Sequence, residues 1–364
     1  MRSNRAGLLG IALALTWLLS CGGSGGGSSS SGGNAYLAVP QANAINAYRV
    51  DTNSGNFKAV LGSPFSGGTS PVAIEVHPSG KFLYSANQGG NDISLFTVDS
   101  GTGELKEVLP RAPAGLNPTS LVMDSAGKLL FVANQTSNNI SVFSISSSDG
   151  TLSEISGSPF ATGGRPVALA LSPSGQFLYA ASGTLAFVFG YAVDSGTGAL
   201  VPVPGSPFAV ESPPFALTIE PSGHFLYAAN FSAGTVSGMA IDSNSGALTL
   251  ASGSPFAAAT SPISLAVHPT GQFLYVANLQ SNNISVYKID STTGATTPLT
   301  ASPFTAGTGP SFLTVDPAGK FLYVCNQTGK NISRFEINQD TGGIPTSTVA
   351  TTLQLTPAAL VFAK

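Results

Sequence analysis

Residues 262–278 read Pro262-Ile263-Ser264-Leu265-Ala266-Val267-His268-Pro269-Thr270-Gly271-Gln272-Phe273-Leu274-Tyr275-Val276-Ala277-Asn278, two short apolar runs on either side of a Pro-Thr-Gly turn. Runs of this length bounded by Pro and Gly read as strands, and a turn of this kind folds the second run back on the first. Downstream, Ile284 to Ile289 predicts a third strand and the stretch from Thr296 to Ser302 a weaker fourth. Strand, hairpin, strand, hairpin makes one antiparallel sheet of four strands.

The same unit is written along the whole chain. Its Gly-(Lys/Gln/His)-(Phe/Leu)-Leu-(Tyr/Phe) motif has its Gly at 80, 127, 175, 223, 271 and 319. Ser-Pro-Phe keeps the same period, with its proline at 64, 159, 207, 255 and 303 and a degenerate copy at Pro110-Arg111-Ala112. A turn such as Val98-Asp99-Ser100-Gly101-Thr102-Gly103 ends in a Gly that recurs at 55, 103, 150, 198, 246, 294 and 342. A constant period near 48 residues with four strands per repeat predicts a ring of blades. The N-terminal copy, Tyr36 to Val39, Ile45 to Val50 and Phe57 to Leu61, supplies only the last three strands. Its missing first strand matches Pro357-Ala358-Ala359-Leu360-Val361-Phe362 at the other end of the chain. First strands at 71, 118, 166, 214, 262, 310 and 357 predict an all-β, seven-bladed propeller of four-stranded antiparallel blades over 34–364. In it the C-terminal strand completes the N-terminal blade and removes two open sheet edges.

Composition agrees with that architecture and excludes others. The chain has 364 residues, 43 Gly and 25 Pro, but only 9% charged side chains, where about 25% is usual. A net charge of -3 with no basic run argues against a nucleic-acid partner, which would need several phosphates neutralised.

Residues 1–20 carry Arg2 and Arg5 and then an apolar stretch from Ala6 to Leu19, too short to span a membrane. Leu18-Leu19-Ser20-Cys21 resembles a bacterial lipoprotein signal, with Cys21 as the residue to be lipidated. Gly22 to Gly33 contains only Gly and Ser and reads as a flexible linker. The expected product is exported and membrane-anchored, with Gly22 favouring the outer membrane on its periplasmic side or at the cell surface. The second cysteine, Cys325, sits alone in an apolar strand and reads as a small buried hydrophobe.

Ser-Pro-Ser-Gly-Gln-Phe-Leu-Tyr (172–179), Ile-Ser-Val-Tyr-Lys-Ile-Asp (284–290) and Asp-Ser-Gly-Thr-Gly-Ala-Leu (194–200) resemble the lactonase-type seven-bladed propeller family, which includes 6-phosphogluconolactonase and is similar to surface-layer propeller repeats. The resemblance covers about residues 34 to 364. It implies the fold directly and a lactone-hydrolysing activity by kinship, although these motifs are turns and strand cores rather than chemistry.

In such rings the loop into each first strand and the loop between second and third strands share one face around the central channel. Copies that depart from the pattern there mark candidate sites. Asn138-Asn139, Asn282-Asn283 and Lys330-Asn331 are polar turn formers, whereas the equivalent residues of one blade are Ala186 and Phe187, next to Leu185. The next blade has Phe231 where others have Gln88, Gln135 or Gln327, and its first strand opens Pro213-Pro214-Phe215. Leu185, Phe187, Phe215 and Phe231 are therefore candidate ligand-binding residues on one apolar rim. Charge on this face is sparse, at Asp92, Arg165, Glu211 and Lys330. A lactone hydrolase would use Glu211 to activate water and Arg165 to hold the oxyanion. Asp92 and Lys330 are further candidate ligand-binding residues. Arg334 replaces Val286, Val142 and Leu95 and is expected to reach toward a rim or an anion.

The three histidines, His77, His224 and His268, fall at turn and surface positions, so neither a Ser-His-Asp triad nor a metal centre is expected, and no cofactor is implied. The Asp-Ser-Gly-Thr-Gly turns lack the paired acids of a calcium loop. Asn-Ile-Ser at 139, 283 and 331 is turn chemistry.

Two functions remain compatible with these residues. The first is a lipid-anchored binding module that presents its partly aromatic face to a carbohydrate or an envelope protein, favoured by the poverty of acid-base groups. The alternative is a lactone hydrolase of the 6-phosphogluconolactonase kind, with a small-molecule lactone at the channel mouth.

Overall fold

The computed structural model describes residues 33–363. The expected signal peptide, Cys21 and the expected linker up to residue 32 lie outside the described residues, and Gly33 opens the first strand, Gly33–Val39. The chain forms seven antiparallel sheets, here blades I (33–66 with 359–363), II (71–113), III (118–161), IV (166–209), V (214–257), VI (262–305) and VII (310–352). In blades II to VII sequence order runs from the channel outward, in blade I the C-terminal strand is innermost, and the innermost strands neighbour one another around the axis. Ala359–Ala363 pairs with Gly33–Val39, Leu360 opposite Leu37, so the ring closes as the copies at the two chain ends predict.

The outermost strand corrects one expectation. Rather than one weak strand over 296–302, blade VI carries Thr296–Pro298 and Phe304–Thr305, both paired to the third strand Asn283–Ile289. Pro303 has no N–H to give the ladder. The Ser302 hydroxyl instead accepts the Val286 N–H at 2.9 Å, and Ser63, Ser158, Ser206 and Ser254 repeat that bond in blades I, III, IV and V.

Blades are tied to one another where the motifs meet. The tyrosine of the second strand donates to the carbonyl of the turn glycine in the next blade, as in Tyr179 to Gly246 at 2.8 Å and Tyr227 to Gly294 at 3.0 Å. Gly246 has φ +73°, and a Cβ there would come within 2.3 Å of the Phe177 ring, so both backbone and space require glycine. The same tie crosses the ring seam, Tyr323 to Gly55 at 2.8 Å. At that seam Arg334 donates to the Ser54 carbonyl and to Asn56 Oδ1, and Lys320 to the Asn53 carbonyl at 2.7 Å. Arg334 therefore binds neither rim nor anion; it clamps the last blade to the first. Phe57 stacks on Tyr323 in the same place, with ring centroids 5.0 Å apart.

Candidate functional site

The loops leading into the first strands meet the second-to-third strand loops at one end of the ring, for instance through the Gln88 N–H on the Ser70 carbonyl at 2.9 Å. A repeated amide scaffold supports this face. Asn87, Asn134, Asn230, Asn278 and Asn326 end their second strands fully buried. Each donates to the side chains of two third-strand residues, as Asn278 does to Asn283 at 2.8 Å and to Ser285 at 2.9 Å. The Asn-Ile-Ser tripeptides are thereby explained as scaffold. Asp92 occupies the equivalent place in blade II and accepts from Asn87 at 2.6 Å, so this candidate ligand residue serves the same scaffold.

A second device clasps neighbouring blades. Asn43, Asn91 and Asn282 sit in the left-handed region, with φ 51°, 57° and 54°, where asparagine is tolerated. Their Oδ1 atoms accept the N–H groups of Ser70, Asn117 and Gly309 in the following blade, at 2.8, 2.7 and 2.7 Å. Lys330 holds the same position in blade VII, with φ 49°, and its side chain is exposed. Between blades IV and V both halves of the clasp are replaced: Ala186 offers no side-chain acceptor, and Pro213 has no N–H to donate.

The lead-in loop of blade V departs further. Glu211 stands where four other loops have Gly68, Gly115, Gly163 and Gly307, and one has Ala259. A Cβ on Gly68 would come within 2.0 Å of the Asn87 amide, and one on Gly307 within 2.4 Å of that of Asn326. The loop also differs in backbone: Ser70, Asn117, Ser261 and Gly309 have positive φ just before the first strand, whereas Pro213 and Arg165 do not. The exposed Glu211 carboxylate accepts from the Thr235 hydroxyl at 2.5 Å, and Thr235 in turn accepts from Asn230 at 3.0 Å. Its other oxygen makes no hydrogen bond among the described residues. Thr235 escaped the sequence reading; its departure from Asn139, Asn283 and Asn331 at the same place in the repeat was the available signal.

Arg165, in the lead-in loop of blade IV, is exposed, and no ion pair joins it to Glu211. The four apolar candidates divide. Phe215 and Phe231 are in contact, with ring centroids 4.7 Å apart and planes tilted by 36°. Both are half-buried, Phe231 resting on the cluster that contains Ile263. Leu185 is 40% exposed, beside Gly164. Phe187 instead packs against the core between blades III and IV, because its place in the third strand turns it inward.

The remaining reactive groups lie elsewhere. His77 and His268 tie blades together at the opposite end, His268 Nε2 donating to the Gly319 carbonyl at 2.9 Å while Nδ1 accepts from the Thr270 N–H. Burial lowers the His268 pKa. Cys325 is fully buried, unpaired with another cysteine, and its thiol is pushed up by desolvation, which removes it as a nucleophile. Among the described residues no group of three or more His, Cys, Asp and Glu side chains could hold a metal. This end of the ring thus offers a carboxylate with one open oxygen and a half-buried aromatic pair on blade V, and a guanidinium in the lead-in loop of blade IV.

Known proteins agree with this architecture. A structure from Bacteroides fragilis to which 6-phosphogluconolactonase activity is ascribed superposes with a TM-score of 0.82 at 23% identity, covering 93% of this chain and 100% of that one. The periplasmic gluconolactonase of Pseudomonas aeruginosa superposes with a TM-score of 0.78 at 20% identity, covering 91% and 99%. A 6-phosphogluconolactonase of Formosa agariphila is 38% identical over 64 residues, a stretch that spans 18% of each chain. The lactonase, 7-bladed beta-propeller family matches residues 28–168, 157–263 and 249–361. With its seven blades, shared seam and phased motifs, the chain belongs to that lactonase family of 7-bladed beta-propellers.

Proposed function

We propose that this protein hydrolyses a lactone at the channel mouth between blades IV and V. The observation that carries the reading is the Glu211 carboxylate, placed by a rerouted loop where sister blades have Gly or Ala and held through one oxygen by Thr235. Family membership and the 6-phosphogluconolactonase relative support hydrolysis over the binding-module role that the sparse acid-base chemistry had favoured.

In the proposed reaction the open Glu211 oxygen takes a proton from water as the water oxygen bonds to the lactone carbonyl carbon. Negative charge moves onto the carbonyl oxygen, where the Arg165 guanidinium stabilises it. As the carbonyl re-forms, the ring C–O bond breaks, and the departing alkoxide recovers the proton from Glu211. Water has then been added across one ester bond, and the product is an open-chain hydroxy acid.

The test is turnover of a lactone panel by the purified protein. Glu211→Gln keeps an acceptor for Thr235 but cannot take the proton, so kcat should fall about 100-fold or more with the melting temperature nearly unchanged. Arg165→Ala should lower kcat by about 100-fold as well. Retained turnover in Glu211→Gln would sink the assignment. We further propose that residues 1–20 direct export and that Cys21 carries the lipid anchor. Loss of membrane association and of acyl-chain labelling in Cys21→Ala tests this part.

A further inference from the structure

Resting on the hydrolase reading, we infer that the substrate is an uncharged lactone bearing a hydrocarbon substituent, seated on the Phe215–Phe231 pair, rather than a phosphorylated sugar lactone.

Phe215 occupies the second position of its first strand, where sister blades have Val72, Thr119, Val167, Ile263 and Ser311. Those five are buried, whereas Phe215 is half-exposed. The register slips at this position in blade V, between Pro214 and Ala216, as it does in the five sister blades, so the β-bulge is common to the repeat and the bulk of the phenylalanine is what sets this blade apart. The ring stays partly exposed and meets Phe231 with centroids 4.7 Å apart. Phe231 in turn stands where Gln88, Gln135 and Gln327 give three blades a polar surface and blade VI has Leu279. Two departures, one in the first strand and one in the second-to-third strand loop of blade V, therefore build a single aromatic surface that stays partly exposed while Phe231 also rests on the neighbouring core cluster.

Charge excludes the phosphorylated alternative. Glu211 lies in the lead-in loop four residues before Phe215, which is in the first strand, and an ionised carboxylate repels a phosphate dianion. The flanking loop brings one cation, Arg165, which the proposed reaction already uses at the carbonyl oxygen. Phosphate recognition is built from paired or bidentate cationic groups, whereas a hydrocarbon chain gains by covering the exposed ring faces.

The experiment compares δ-decalactone, glucono-δ-lactone and its 6-phosphate as substrates of the purified full chain. The expected kcat/KM for δ-decalactone is at least tenfold above that for either sugar lactone. Phe231→Gln and Phe215→Val install residues that sister blades carry at the same places, so the fold accommodates them. Each should reduce the preference for δ-decalactone over unsubstituted δ-valerolactone at least fivefold, mainly through KM. Equal or faster turnover of the 6-phosphate overturns the substrate class while leaving lactone hydrolysis standing. An unchanged preference in both variants overturns the aromatic seat. No turnover of any of the four lactones overturns the hydrolase reading and this substrate class with it.

Discussion

Asp92 and Glu211 are both carboxylates on the mouth of the ring, and their partners give them different work. Asp92 receives the Asn87 amide at 2.6 Å and closes a scaffold that other blades build from asparagine. Glu211 receives only the Thr235 hydroxyl. Thr235→Val should therefore act in two ways: the carboxylate loses its anchor, lowering kcat about tenfold, and the buried Asn230 amide loses a partner at a cost of about 1–3 kcal/mol. Thr235→Ser should restore both, and kinetics with thermal unfolding would separate the two effects. The sequence carried the position of Glu211 but not its anchor, because a residue 24 places away in the next hairpin supplies it. His268 gives a pH prediction at the same scale. Burial depresses its folded pKa below the unfolded value of 6.5, so between those two values the unfolded chain binds more protons, and stability is lost as pH falls through that window. Asp316 beside it is raised by burial, an effect of opposite sign. Acidification from pH 7 to pH 5 should lower the melting temperature of the native protein more than that of His268→Gln.

Among the elements, the outer strand shows what a periodic pattern reveals and what it conceals. Ser-Pro-Phe announced a repeat, and the four copies after blade II fall at one spacing, yet an apolar run that crosses a proline does not tell whether pairing continues beyond it. The answer lies in the Ser302 hydroxyl, which takes the Val286 N–H at 2.9 Å and bridges the gap that Pro303 leaves in the ladder. Val286 is completely buried, so Ser302→Ala leaves an unpaired N–H in the sheet. Urea unfolding should show a loss of about 1–3 kcal/mol, and Ser302→Thr should recover most of it. Phe187 shows the converse limit. Its departure from asparagine was legible, but the inward turn of its side chain depends on packing against blade III, which local spacing does not encode.

For the whole molecule, the decisive contact is the one that shuts the ring without a covalent bond. The chain runs unbroken from blade to blade, including from blade VII at 352 into the closing strand Ala359–Ala363, so closure rests on the pairing of that strand with Gly33–Val39 inside blade I, while blade VII holds the outer strands of blade I through Tyr323, Arg334, Lys320 and the Phe57 stack. The closing strand, Ala359–Ala363, was readable because its partners at 33–39 lacked a neighbour in the repeat count. Arg334 was not, since its acceptors lie 278 and 280 residues earlier. Removing one tie between blades joined in mid-sequence, as in Tyr227→Phe, should cost about 1 kcal/mol of global stability and leave local exchange unchanged. Between blades VII and I the same deletion also favours opening, because Gly33–Val39 and the outer strands of blade I can leave the closing strand and blade VII without stretching the chain. Tyr323→Phe combined with Arg334→Ala should therefore speed hydrogen exchange in Gly33–Val39 and Ala359–Ala363 well before the global transition, in the manner of a local unfolding unit. Exposed edges of those two strands would then template association, so aggregation rising with protein concentration below the melting temperature is the second readout. Equal exchange in the seam double variant and in Tyr227→Phe would mean that strand pairing alone closes the ring.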